Sequence, residues 1–187
     1  MNSIQRTNQF EAYQEVPHFI LLTKKEVHES DDIVAVLNQS LSHAIDLRCR
    51  MKHAQWTVRG GNFSSFYAMF GYFSDELEGF ADMMSARVKA LGGNPSWTCE
   101  NVATTSRLPS SGAGDREKPQ DLRALIATYA IVSRYQRVAV NKARHAQDYT
   151  SAGILTDFTK LLDKQTGLLV THLPDAWAMF SRRKYEN

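Results

Sequence analysis

Between Phe63 and Leu91 the large apolar residues fall at 63, 66, 70, 73, 77, 80, 84, 88 and 91. Steps of three and four residues put them on one stripe of an α-helix and fit no strand, whose faces repeat every second residue. Asn62 stands where an N-cap belongs, and Gly92-Gly93 follows Leu91 as a helix stop. Such a helix, about 30 residues at roughly 1.5 Å each, is some 40 Å long, the scale of a helical bundle rather than a small mixed domain. Its aromatic load, including Phe66, Tyr67, Phe70 and Phe73, exceeds what one four-helix core absorbs. Part of it is therefore expected at a subunit interface.

The remaining segments supply partners for that helix. Ser30-Asp31-Asp32 offers caps for a first helix, and Ile33, Leu37, Leu41, Ala44, Ile45 and Trp56 keep a helical period to about Arg59. His43 and His53 on it read as polar interface or surface residues. Residues 94–120, with prolines at 95, 109 and 119, form a long connector in which a short helical turn is expected around Glu100–Ser106. A connector of this length permits the crossover that makes a second and a third helix parallel. The third helix is predicted from Pro119 to about Gln147. Leu122, Leu125, Ile126, Tyr129, Val132, Gln136 and Ala139 form its inner face, and Arg123, Arg134, Arg137, Lys142 and Arg144 its solvated one. The fourth runs from about Ser151 to His172 with Ile154, Leu155, Phe158, Leu161, Leu162, Leu168 and Leu169 inward, and Pro174 ends it. The expected organisation is an extended N-terminal tail over 1–30, an all-α four-helix bundle over 31–175 and a C-terminal tail over 176–187.

Composition narrows the function classes. The 187 residues are 43% hydrophobic and 22% charged with a net charge of +2, so the chain as a whole is no nucleic-acid binder by charge. Residues 1–16 hold one base, Arg6, against Glu11 and Glu15, whereas Arg182-Arg183-Lys184 is the densest positive run. Cys49 and Cys99 stand in unlike settings without a C-x-x-C spacing and read as reduced thiols. No signal-like or membrane-spanning apolar run is present, Phe19 to Leu22 being too short. A cytoplasmic location is the expectation. There is no phosphate-binding glycine loop, no nucleophile elbow, no paired H-x-x-x-H and no internal repeat.

One series carries a family resemblance: Leu41, Ile45-Asp46-Leu47, Lys52, Ala54, Trp56, Arg59-Gly60, Asn62-Phe63, Asp82, Arg87 and Leu91-Gly92-Gly93. Tyr129 to Val132, Ala143, Asp148, Thr150, Leu155 and Leu162-Asp163-Lys164 follow in order. The chain resembles the Dps family, the mini-ferritins also called DNA-binding proteins from starved cells, over roughly residues 31–175. The resemblance implies a ferritin-like four-helix bundle with a crossover connector carrying a short helix. It also implies a homo-oligomer, a hollow shell of twelve subunits, iron as the metal handled and DNA as a partner.

The same resemblance implies a ferroxidase centre between two subunits, built from two histidines, an early acid, an aspartate and a glutamate four residues later. Carried over residue by residue, those positions are Gln55, Tyr67, Gly71, Asp82 and Ala86. Asp82 alone keeps its type. His53 stands two residues from Gln55, and two residues turn a helical side chain by about 200°, so it is no direct substitute. Glu78 precedes Asp82 by four residues on the same face, offering a second carboxylate. Tyr67 offers a phenolate, or a buried hydroxyl bonded to Gln55. The expectation is a lost or strongly altered ferroxidase centre that holds no iron. Two functions of different class follow: iron sequestration with protection from oxidative stress, or a non-catalytic cage that compacts DNA through Arg182, Arg183 and Lys184. A plain four-helix protein without metal is the third reading.

Overall fold

The computed structural model describes residues 24–60, 63–109 and 122–173. Five helices follow in order: α1 (Lys24–Thr57), α2 (Phe63–Ala90), α3 (Cys99–Thr105), α4 (Leu122–His145) and α5 (Tyr149–Thr171). No strand occurs among the described residues, and the all-α, ferritin-like expectation holds. The first helix begins at Lys24 rather than at the Ser30–Asp32 cap, so the residues read as extended tail include its first turns. Asn62, Pro119 and both outer tail segments lie outside the described residues.

The hydrogen bonds between helices give the topology. Gln55 reaches Tyr67 and Arg48 reaches Glu78, so α1 and α2 are antiparallel. Arg87 near the end of α2 meets Asp148 at the start of α5, and Glu76 meets Lys164, so α2 and α5 are antiparallel as well. Tyr129 bonds Gln165 and Ser133 bonds Asp163, which makes α4 antiparallel to α5. Helices α2 and α4 are consequently parallel, and the connector must travel the length of the bundle. It does so alongside α1. Asn38 holds Asn94 and Ser96, Gln39 holds the Thr105 carbonyl, Asp46 accepts from Ser106, and Arg50 reaches the Pro109 carbonyl. Thr98 caps α3 by accepting from the Asn101 N–H.

The core follows the predicted stripes with a few departures. Phe70, Phe73, Leu77, Met84 and Val88 of α2 are buried against Leu37, Leu41, Leu47 and Met51 of α1, Leu125, Tyr129 and Val132 of α4, and Leu155, Phe158 and Leu162 of α5. Helix α2 ends as its glycines dictate: Gly92 takes φ +79° and the Gly93 N–H returns to the Val88 carbonyl at 2.9 Å. Trp56 and Leu168, assigned inward by period, are 73% and 41% exposed. Both lie near helix ends, where a helix outruns its neighbours. His43 departs in the other direction and is completely buried. No helix among the described residues is long and apolar enough to cross a membrane.

Candidate functional site

The five positions singled out in the sequence lie on the outer side of the α1–α2 hairpin. Gln55 comes from the last turn of α1, while Tyr67, Gly71, Asp82 and Ala86 follow one another down α2. Gln55 is buried, and its amide Nε2 donates to the Tyr67 backbone carbonyl at 3.0 Å. Its Oε1 accepts from Lys52 Nζ at 3.3 Å. Gly71 is what makes room for this amide: a Cβ on residue 71 would sit 2.5 Å from Gln55 Nε2. Gln55 therefore fills the volume that a side chain at 71 would need. The two departures from the family pattern fit each other.

Tyr67 is not the buried hydroxyl anticipated. Its ring is 43% exposed and packs on Phe63 with centroids 5.5 Å apart, and Gln55 bonds its main chain rather than its phenol. Asp82 and Ala86 are exposed. Glu78 is engaged elsewhere: Arg48 Nη2 lies 2.9 Å from its Oε1. Lys52 approaches Asp75 at 3.9 Å. Arg48 and Asp75, and the ion pairing of Lys52, escaped the sequence reading. The signal for them was faint, bases four residues apart on α1 facing acids three apart on α2. The face thus carries compensated charge with exposed Trp56 and Tyr67 at its end.

As a metal site, this donor set does not fit two irons. Hard ferric and ferrous ions want carboxylate oxygens and imidazole nitrogens with open positions between them. The five positions supply one carboxylate, one neutral amide already bonded at both ends, a phenol, and two residues without donors. An identical copy facing this surface brings the same five residues again. Among the described residues no three His, Cys, Asp or Glu side chains converge as a metal site. His53 is partly buried and joins no metal-ligating cluster among the described residues. Arg182, Arg183 and Lys184 lie outside the described residues. Cys49 and Cys99 are free and exposed, and partial burial pushes the Cys49 thiol up.

A second cluster ties the bundle together behind this face. Tyr129, fully buried on α4, donates to Gln165 Oε1 at 2.7 Å, and Gln165 Nε2 donates to Glu76 Oε2 at 3.0 Å. Lys164 and Tyr72 complete the Glu76 carboxylate at 2.9 and 2.8 Å. Burial works against ionisation of Glu76, but hydrogen bonds from Lys164, Gln165 and Tyr72 outweigh it and hold the carboxyl below its usual range. Tyr129 is pushed well above the usual phenol value by burial and then by the Glu76 charge. At the opposite end Asp148 caps α5 through Ser151 and takes Arg87 at 2.8 Å.

With bundle, crossover and face described, the relationships of the chain can be stated. The family model for the ferritin-like domain matches residues 34–175. The chain belongs to the ferritin-like family, within it to the Dps proteins. It is similar to the DNA protection during starvation protein of Agrobacterium fabrum, 29% identical over 143 residues, covering 76% of this chain and 88% of that one. Among solved structures, Mycobacterium smegmatis Dps is 26% identical with a TM-score of 0.72, covering 79% of this chain and 83% of that one. An archaeal Dps homologue from Halobacterium salinarum shares the fold with a TM-score of 0.73 at 23% identity, covering 79% and 82%.

Proposed function

We propose that the chain is the subunit of a Dps-type cytoplasmic shell that sequesters iron as cargo and protects against oxidative stress, without a working diiron centre at the family position. The observation that carries the second half is the Gln55–Gly71 contact, in which an amide bonded to the Tyr67 carbonyl occupies space that a ligand at 71 would need. Family membership supports the first half, as do the exposed aromatic residues Trp56 and Tyr67, which a second copy would cover. Twelve subunits with tetrahedral symmetry is the assembly that the relationship implies.

In this reading iron enters the shell and grows as mineral on interior carboxylates. Asp82, with Glu78 one turn away, is the carboxylate left at the former centre, and in the assembly it serves as a hydrogen-bond acceptor across the interface. Purified protein mixed with ferrous iron under oxygen, and separately with peroxide, should show slow mineral growth and no rapid stoichiometric phase. Asp82→Ala should behave the same. A rapid phase that disappears in Asp82→Ala would show that Asp82 has recruited ligands, with His53 of a neighbouring subunit the first to test, since His43 is fully buried against Tyr135. Sedimentation at micromolar concentration should show a large assembly, and a monomer would remove the shell.

The names of relatives such as the Agrobacterium fabrum protein favour DNA as a partner. Arg182, Arg183 and Lys184, repeated around a shell, would gain by multivalency what each copy lacks alone. Removal of residues 181–187 should abolish a low-salt gel shift. Absence of any shift by the full chain removes this role.

A further inference from the structure

Helices α1 and α4 do not close on each other along their whole length, and between them lies a cleft of about 820 Å³. Its open part is apolar. Val138, 57% exposed, and Tyr135 line it from α4, and Ala35 and Val36 line it from α1. Arg107 and Lys142 stand in the lining against one acid, Asp32, and neither base is ion-paired among the described residues. An apolar strip edged by uncompensated positive charge suits a cover that is itself apolar and acidic.

The chain that precedes α1 has this chemistry and starts from the right place. Residues 11–22 hold two acids, Glu11 and Glu15, and no lysine or arginine, while Val16 and the run Phe19 to Leu22 are apolar. Pro17 opposes a helix and favours an extended backbone. Helices α1 and α4 are antiparallel, so Asp32 and Ala146 mark one end of the cleft and His43, stacked on Tyr135, the other. Ser106 bonds Asp46, which places Arg107 just beyond His43. Residues 24–31 of α1 rise about 12 Å before Asp32 is reached. About four extended residues, at roughly 3.3 Å each, cover that distance on the way back. Phe19 then arrives at the mouth of the cleft. At the same rise Glu15 comes between Lys142 and Val138, and Glu11 within reach of Arg107.

We propose that residues 11–22 fold back along the α1–α4 cleft of their own subunit, laying Val16 and Phe19 on its apolar strip and turning Glu15 and Glu11 to Lys142 and Arg107. The tether to α1 keeps the segment at high effective concentration, so each contact can be weak. The docked segment covers Val138 and Tyr135 and matches the two bases of the cleft with two acids. Nothing in this assignment depends on iron, and the cleft is separate from the α1–α2 face.

Disulfide trapping in the full-length assembled protein tests it, with the exposed Cys49 and Cys99 replaced by serine. One variant carries Gln14→Cys with Val138→Cys, in the cleft. The other carries Gln14→Cys with Arg137→Cys, at the same tether length but turned about 100° towards Asp163. Under oxidised glutathione the first pair should close about tenfold faster than the second, as a bond within one chain on a non-reducing gel. Lys142→Glu, at an exposed position where folding is safe, should remove most of that preference, and Glu15→Lys added to it should restore it. Equal rates for the two pairs would overturn the proposal. A cross-linked dimer would overturn it in favour of a neighbouring subunit's segment in the cleft. A preference indifferent to Lys142→Glu would overturn the assignment of Glu15.

Discussion

The polar cluster joining α2, α4 and α5 and the one between α1 and α4 use much the same residue types, a glutamine and a phenol or imidazole among aliphatic side chains. They differ in how completely they are paired. Around Gln165 the bonds form a chain: Tyr129 gives its proton to the amide oxygen, the amide nitrogen gives to Glu76, and Lys164 and Tyr72 finish the carboxylate. Around Gln136 the amide has no partner at either end, and the His43 Nδ1 has none. A paired network fixes helices against each other; an unpaired one costs stability. The contrast sets a paired cluster against an unpaired one within one bundle.

The largest effect should come from breaking the paired cluster. Gln165→Leu strands the buried Tyr129 hydroxyl and removes a donor from Glu76, two losses of about 1–3 kcal/mol each. Urea unfolding at fixed protomer concentration should register a loss of roughly 3 kcal/mol. A loss below about 1 kcal/mol would mean that the relay contributes nothing beyond packing.

Acid should act on the other cluster. The folded His43 pKa of about 4 lies below the ordinary 6.5, so the unfolded chain binds more protons between those values. Its contribution is complete above pH 6.5 and is lost as the pH falls towards 4. The groups around it are Asp46, which favours the charged ring, and Arg107, which opposes it. Asp32, Lys142 and His145 line the same cleft. At about 1.4 kcal/mol per pKa unit the loss between pH 6.5 and 4.5 is about 2–3 kcal/mol. His43→Gln should flatten the stability profile in that window. Glu76 and Asp148, whose pKa values are lowered, lose their contributions further into acid and should leave the window unaffected.

Much of the bundle was readable because helical period is a local property. The α2 stripe, the Gly92 stop, the short helix in the connector and the buried face of α4 all rest on residues within a turn or two of each other. Trp56 and Leu168 misled because period gives a direction and not the reach of the neighbouring helix. His43 misled because an isolated histidine has no sequence signal for burial, and the Gln39 and Tyr135 that enclose it come from one turn away and from another helix. At the family's ligand positions the sequence listed what stands there. It could not tell that Gln55 lies over Gly71, sixteen residues further on, because that contact exists only once α1 and α2 pair.

That contact makes the third prediction. Gly71→Ala places a methyl 2.5 Å from Gln55 Nε2, and the flexible amide must swing away from the Tyr67 carbonyl. The cost should be about 1–2 kcal/mol, the scale of one lost buried hydrogen bond. Adding Gln55→Ala should recover part of it, since the methyl then fills the vacated space. A double-mutant cycle with no coupling would show the two positions to be independent.

The smallest effect is the most telling for the comparison. Gln136→Leu is the same chemical change as Gln165→Leu, on a residue equally buried. Here, however, it removes two atoms that have no partners, so no hydrogen bond is lost and the desolvation cost of the amide disappears. The leucine has nearly the same length, and Val132, Ala139 and Val140 on the same helix are buried as well. Opposing this gain is only the slight mismatch of a branched side chain in a space shaped for an amide, about 1 kcal/mol or less. Unfolding in urea should therefore place Gln136→Leu within about 1 kcal/mol of the parent, on the stable side if the amide is unsolvated. A loss as large as that of Gln165→Leu would mean that Gln136 is paired in solution. The difference between the paired and the unpaired cluster would then fall.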